Sequence, residues 1–259
     1  MAGPQERPHA AYPYAPGLLA RDRGRAAARA FGAAASRLKL LTSDDSGYVI
    51  DVGSGPGYTA STCRRSCPGA SWLLVDMDAH LLAERPDAND RAICADADYV
   101  PALLTRISRP TVVIASHVAY YIENFPHWVR RCLESAIAEC RILVVVRSQQ
   151  SDSFRLRSEA CTALGVPGHM PLHAGQVIRE LRCAAGAEVT IRGSYDYNTD
   201  LDLSDRESMR AILSFYSHVA ASVLDDNLTT RLLAVLQTDY PTAAVHHSDI
   251  IVEIAGTIR

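Results

Sequence analysis

Residues 48–59 read YVIDVGSGPGYT, and this stretch decides the fold. The apolar run Tyr48 to Val52 carries a single acid, Asp51, and then breaks into Gly53, Gly55 and Gly57, separated by Ser54 and Pro56. A short apolar run with no alternation is the pattern of a strand buried on both faces of a parallel sheet. Glycine at every second position marks a tight turn where backbone approaches a ligand closely. Residues 58–66 can start a helix whose first N–H groups lack intrahelical partners and face that ligand. Strand, glycine turn and helix together form the opening unit of a nucleotide-binding α/β fold.

The spacing narrows the nucleotide. A dinucleotide fingerprint is G-x-G-x-x-G with an acid about 20 residues on. Here the spacing is G-x-G-x-G, and Pro56 removes one N–H donor from any pyrophosphate cradle. No G-x-x-x-x-G-K-[ST] occurs, so a P-loop is excluded. The motif resembles the first motif of class I S-adenosylmethionine (SAM)-dependent methyltransferases, in which the glycine loop lies under the methionine part of the cofactor.

Working outward, Ser71-Trp-Leu-Leu-Val-Asp76 is a second apolar run ending in an acid 23 residues after Gly53. A carboxylate at that strand end can accept hydrogen bonds from both ribose hydroxyls. Asp78 competes for the role, but its place before Ala79 also suits a helix N-cap. Arg91-Ala-Ile-Cys-Ala-Asp96-Ala-Asp98 reads as a third short strand with acids at its carboxyl end. Asp96 can accept the adenine amino group, or cap a helix over 99–107. Thr111 to Ser116 is the fourth strand, leading into His117-Val-Ala-Tyr120-Tyr121. The carboxyl end of strand four borders the sulfonium site in this fold, and His117 is either a general base there or a structural histidine with its hydrogen bonds satisfied. Tyr120 and Tyr121 can either pack in the core or line a sulfonium and acceptor pocket. The expected cofactor set is Asp51, Gly53, Ser54, Gly55, Gly57, Asp76, Met77, Asp96, Ala97, Ser116 and His117, with no metal. The expected catalytic set is Tyr120, Tyr121, His117 and His247.

The remaining chain continues the alternation. A helix is expected over 18–41, a turn over 42–47, a helix over 126–138, a fifth strand over 141–146, helices over 149–164 and 173–185, and a sixth strand over 187–192. From Tyr195 the pattern changes. Ser204 and Glu207 form a capping box before a helix carrying Met209, Ile212, Leu213, Tyr216 and Val219 on one stripe. A further helix carries Leu228, Leu232, Leu233 and Leu236, and His246 to Ala255 reads as the last strand. Residues 195–240 are therefore a helical insertion, long enough to cap the active-site edge as a lid, and 1–17 a flexible arm ahead of one SAM-binding domain over 18–259. The expected fold is α/β: a Rossmann-like class I methyltransferase fold, with a seven-stranded, mostly parallel sheet, an antiparallel last strand and an N-terminal helix.

A chain of 259 residues with 48% hydrophobic content can bury a sizeable core, and a net charge of −3 supplies no basic field for nucleic acid. Cysteines 63, 67, 94, 132, 140, 161 and 183 are odd in number and include no C-x-x-C pair, so they read as free thiols. No apolar run is long enough to span a membrane. A cytoplasmic, monomeric or homodimeric enzyme acting on a small molecule is expected.

The second half sharpens the resemblance. AYYIENFP at 119–126, ILVVVRSQQSDSFRLR at 142–157, NTDLDLSD at 198–205 and DIIVEIA at 249–255 resemble the histamine N-methyltransferase group. That resemblance implies SAM contacts at Gly53, Asp76 and Ser116, and an amine pocket lined by Tyr120 and Tyr121. The group anchors histamine with an N-terminal glutamate and an asparagine before the last strand. Residues 18–30 here hold Asp22 as their only acid, and the asparagine position carries His246 and His247. The expected acceptor is therefore another small-molecule amine or hydroxyl of specialised metabolism, faced by His247 or His246. His169 and His173 are further candidate bases. The alternative shares the cofactor: intramolecular cyclisation of SAM to azetidine-2-carboxylate with release of methylthioadenosine.

Overall fold

The computed structural model describes residues 17–41, 47–85, 91–166, 172–184, 187–200, 204–217, 219–237 and 244–256. Residues 1–16 of the expected arm over 1–17, residues 42–46 of the expected turn over 42–47, and His169 lie outside the described residues, and Gly17 already begins a helix. By internal packing the chain divides into two units.

The larger unit comprises Ala27–Ser148, Leu172–Tyr195 and Asp249–Arg259. Its strands are β1 (Tyr48–Val52), β2 (Ser71–Asp76), β3 (Arg91–Cys94), β4 (Thr111–Ser116), β5 (Cys140–Arg147), the first part of β6 (Glu188–Asp200) and the last part of β7 (Ala244–Ala255). They form a seven-stranded sheet in the order β3-β2-β1-β4-β5-β7-β6. The pairs from β3 through β5 are parallel, and β7 runs antiparallel to β5. The central strands are buried on both faces, which is why they read as unbroken apolar runs: Ile50, Leu74, Val113, Ile114, Ile142, Leu143 and Val144 are all inaccessible. Because β1, β2 and β4 are parallel and in register at Val52, Val75 and Ala115, their carboxyl ends meet at one sheet edge.

Helices of this unit are the end of α1 (Gly17–Arg37), then α2 (Tyr58–Cys63), α3 (Ala79–Ala83), α4 (Val100–Leu104), α5 (Phe125–Ser135) and α7 (Ala174–Ala184). Helix α1 stops at Arg37 rather than at 41. Lys39 takes φ +51, which breaks the helix, while Leu40 and Leu41 stay buried as the chain leaves it. Their apolar spacing therefore records burial, not helix.

The smaller unit comprises Met1–Ala26, Gln149–Pro171 and Asp196–Ser248. It holds α6 (Asp152–Leu164), α8 (Arg206–Ser217) and α9 (Asp226–Gln237). The expected stripes meet in one cluster, in which Leu156, Leu213, Leu232 and Leu236 are fully buried. Asp225 Oδ1 accepts the Leu228 N–H at 2.7 Å, starting α9. Ser151, the N-cap of α6, makes no side-chain cap bond. Its hydroxyl instead donates to the Ser248 carbonyl and accepts the Ser248 N–H, each at 2.9 Å. Strand β6 runs on to Asp200, well past 192, and from Tyr195 its buried residues alternate as Tyr195, Tyr197 and Thr199. The polar residues between them hide a period of two that is the mark of a strand.

Ile142 sits inaccessible in the middle of the sheet, and truncation leaves a cavity as well as losing burial. Ile142→Ala is expected to lower unfolding free energy by about 2–5 kcal/mol, read from urea midpoints at constant slope. A loss under about 1 kcal/mol would mean that the site collapses without cost.

Candidate functional site

The glycine turn leaves β1 and is fastened to β2. Gly53 N–H and Ser54 N–H donate to the Val75 carbonyl at 2.8 and 3.2 Å, and Gly57 N–H to Ser54 O at 2.9 Å. Gly55 N–H donates to Asp76 Oδ2 at 2.7 Å, while Asp76 Oδ1 accepts Asp78 N–H at 2.9 Å. Asp76 thus clamps two loops, and each carboxylate oxygen keeps a further lone pair. Gly53, with φ +65, could not take a side chain: a Cβ would stand 2.2 Å from Val118 Cγ1. Gly55 is the opposite case. Its φ is +51, and a Cβ would meet nothing within 4 Å. The turn is pressed against protein at Gly53 and opens onto unfilled space at Gly55.

Asp51 lies on β1 beneath this turn, almost wholly buried, and its Oδ2 has no hydrogen-bond partner among the described residues. Burial, reinforced by the Asp76 carboxylate, pushes its pKa from 3.8 up to about 8. The same burial, with Asp51 adding to it, raises the Cys63 thiol far above its usual range.

Asp78 caps α3, accepting His80 N–H at 2.8 Å and Leu81 N–H at 3.3 Å. Met77 between the two acids is exposed, at 63%. Asp96 caps a short 3-10 turn, accepting Asp98 N–H at 3.0 Å, and the following Ala97 carbonyl accepts the Trp128 indole N–H at 2.9 Å. Both readings of Asp96 remain compatible with one side chain, since the cap bond uses Oδ1.

Strand β4 ends at Ser116, and the next residue is strained: His117 takes φ +58. Its N–H donates to the Val145 carbonyl at 3.0 Å, and its Nε2 lies 3.0 Å from Asp249 Oδ2. The Tyr120 ring stacks on the His117 imidazole at 6.3 Å and 26°. The Tyr120 oxygen accepts Arg147 N–H at 2.5 Å. Burial lifts the Tyr120 phenol to about 12 against the opposing pull of Arg147. Tyr121 packs edge-on to Tyr120 and is half exposed.

Sequence reasoning did not single out Asp249 as a site residue. The signal was an acid standing directly before the apolar run Ile250 to Val252 in the middle of β7. The register explains its arrival: β7 is antiparallel to β5, so Asp249 pairs with Arg147 at the carboxyl edge of β5. The structure therefore gathers the glycine turn, Asp76, Met77, Ser116, His117, Tyr120 and Tyr121 within the larger unit. His247 belongs to the smaller unit. There it is inaccessible, its Nε2 3.0 Å from the Thr199 hydroxyl and 3.2 Å from the Tyr216 hydroxyl, with the Tyr197 ring stacked at 4.5 Å. His246 N–H donates to Asp152 Oδ2 at 2.8 Å, and its Nδ1 lies 3.2 Å from Asn198 Oδ1.

No family model matches the chain, and no curated protein matches it. Solved structures do. The YcgJ protein of Bacillus subtilis aligns with TM-score 0.58 at 12% identity, covering 88% of this chain and 100% of that one. A SAM-dependent methyltransferase from Archaeoglobus fulgidus aligns with TM-score 0.53 at 14% identity, over 92% and 98%. The chain has the fold of SAM-dependent methyltransferases. A cyclopropane-fatty-acyl-phospholipid synthase-like protein from Lactobacillus casei ATCC 334 aligns with TM-score 0.54 at 13% identity, over 93% and 95%. At these identities the likeness is one of fold, and it does not single out the histamine N-methyltransferase group. No described helix is long and apolar enough to cross a membrane, and the described residues hold no metal-binding cluster.

The raised Asp51 pKa has a consequence for stability. The folded state keeps the proton that the unfolded chain releases from about pH 4 upward, so Asp51 costs stability as pH rises to about 8. Asp51→Asn removes the titrating proton. Urea unfolding should show the variant gaining on the wild type between pH 5 and pH 8, and a pH-independent difference would contradict the buried, protonated acid.

Proposed function

We propose that the chain is a SAM-dependent transferase that methylates a small-molecule amine or hydroxyl. The observation that carries this reading is the open side of Gly55 beside the Asp76 carboxylate, at the sheet edge where β1 and β2 end. Ligands of open α/β sheets bind outside the carboxyl ends of strands, where the chain switches direction across the sheet. Here that switch lies between β1 and β4. The residues present fit an adenosyl sulfonium compound. In this reading Gly53, Ser54, Gly55 and Gly57 bear the methionine part, and the remaining lone pairs of Asp76 accept the ribose hydroxyls. Met77 and Ala97 flank adenine, whose amino group Asp96 accepts. Asp51, buried with an orphan oxygen, backs the turn from β1, and Ser116 and His117 close the sulfonium side.

When bound, SAM supplies a carbon already activated by its sulfonium. The protein's work is then alignment and exclusion of water. The rings of Tyr120 and Tyr121 present π faces to a cation, an attraction of roughly 0.5–2 kcal/mol. Tyr120, held near 12, stays protonated and serves as a wall and hydrogen-bonding group rather than a base. His117 takes the proton that an amine or hydroxyl must lose.

Two measurements test the reading. Asp76→Ala should weaken SAM binding at least tenfold by calorimetry, about 1.4 kcal/mol, with unchanged affinity refuting the ribose role. Pure protein incubated with SAM should form S-adenosylhomocysteine only when a small amine or phenol is added. Methylthioadenosine from SAM alone would identify the intramolecular cyclisation instead.

A further inference from the structure

We infer that Asp249 and Val118 are positioning residues of the proposed cofactor site. Asp249 holds His117 in left-handed backbone, and that conformation sets Val118 against Gly53, bracing the glycine turn from the β4 side. The inference rests on the SAM reading of the site and adds two residues to it.

The turn needs bracing. Gly53, Gly55 and Gly57 take φ +65, +51 and +78, three left-handed residues within five positions. Glycine has the most conformational freedom to lose, so a turn built this way is shaped by what presses on it. Backbone N–H groups fasten it to β2, at the Val75 carbonyl and the Asp76 carboxylate. Side chains grip it at both ends. A Cβ on Gly57 would stand 2.8 Å from Leu74 Cδ1, and one on Gly53 2.2 Å from Val118 Cγ1, whereas Gly55 between them is open. Leu74 is fixed within β2, but Val118 lies two residues past Ser116, where β4 ends. Its place therefore depends on the residue before it.

That residue is His117. At φ +58 it holds a conformation that a side chain disfavours. Relaxation of this angle to a negative value would swing Val118 away from Gly53. Two contacts oppose it. His117 N–H donates to the Val145 carbonyl of β5 at 3.0 Å, and the ring Nε2 lies 3.0 Å from Asp249 Oδ2. Asp249 is inaccessible to solvent, and separating a buried carboxylate from a partner is costly, so the pair resists opening. The antiparallel register sets Asp249 opposite Arg147, the last residue of β5. The turn after β4 is thus pinned at its backbone by β5 and at its side chain by β7. A loop already held in its binding shape loses less entropy when a ligand arrives, which carries the effect of the pair to cofactor affinity.

The test combines hydrogen exchange of the unliganded full chain with calorimetric titration of S-adenosylhomocysteine. In Asp249→Ala and in Val118→Ala the amides of Gly53, Gly55 and Gly57 should exchange at least about tenfold faster than in the wild type. Residues that only stabilise the sheet would speed the global opening read at Ile142 and Val144 and leave the turn amides unchanged, and that result overturns the proposal. Each variant should also bind S-adenosylhomocysteine about fivefold or more weakly, and the double variant no more weakly than the poorer single one, because both act on one contact. Losses that multiply in the double variant would mean separate actions and would remove Asp249 from the role. If Asp249→Ala does not fold, Asp249→Asn takes its place, since an amide keeps the shape but weakens the bond to the imidazole. Turn exchange about threefold faster is then expected, and unchanged exchange overturns the proposal. Failure of the wild type to bind S-adenosylhomocysteine would overturn the cofactor reading, and the proposal with it. Binding, with turn amides unaltered in the variants, would sink the proposal alone.

Discussion

The hydrogen bond from Gly55 N–H to Asp76 Oδ2 joins the ends of β1 and β2, and the candidate site is built around it. Backbone must come within 2.7 Å of a carboxylate, in left-handed conformation, with a neighbouring glycine already against Val118. Only a chain of alternating glycines reconciles these demands. The same bond holds Asp76 in place while leaving each of its oxygens able to accept again. Two backbone N–H donors from two loops converge on this side chain, which explains why an acceptor-only acid, rather than a neutral hydrogen-bonding residue, ends β2.

Around this bond the sheet collects negative charge and then controls it. Asp51 is buried and largely neutral near neutral pH, Asp76 is committed to two N–H donors, and Asp249 is paired with His117. Three acids at one sheet edge would repel one another if they were equally ionised. Protonation, backbone donors and an imidazole relieve that repulsion in three different ways. A cationic ligand would relieve it in a fourth, which links the electrostatics of the larger unit to the proposed cofactor.

The smaller unit uses polar groups differently. Ser151 gives up capping α6 in order to hold Ser248, Asp152 takes the His246 N–H, and His247 is enclosed by Thr199, Tyr197 and Tyr216. These bonds fix the first part of β7, His246 to Ser248, within the smaller unit.

Much of this was legible in the residue order. The runs that became β1, β2, β4 and β5 are apolar because both faces are covered, and the stripe from Met209 to Tyr216 and the leucines of α9 repeat at helical spacing because one face packs. The glycine pattern and Asp76 could be read locally, since a turn and a strand end are local events. The length of β6 was obscured by polar residues standing between Tyr195, Tyr197 and Thr199, and the end of α1 by leucines buried without being helical. Asp78 read as a helix cap and as a competitor of Asp76 for the ribose, and the hydrogen bonds show the cap on Asp78. The pairing of His117 with Asp249 could not be seen at all. It depends on the antiparallel register of β7 against β5, which brings together residues 132 positions apart. Local chemistry dictates strands, turns and caps, but which distant side chains share an edge is decided only when the sheet closes.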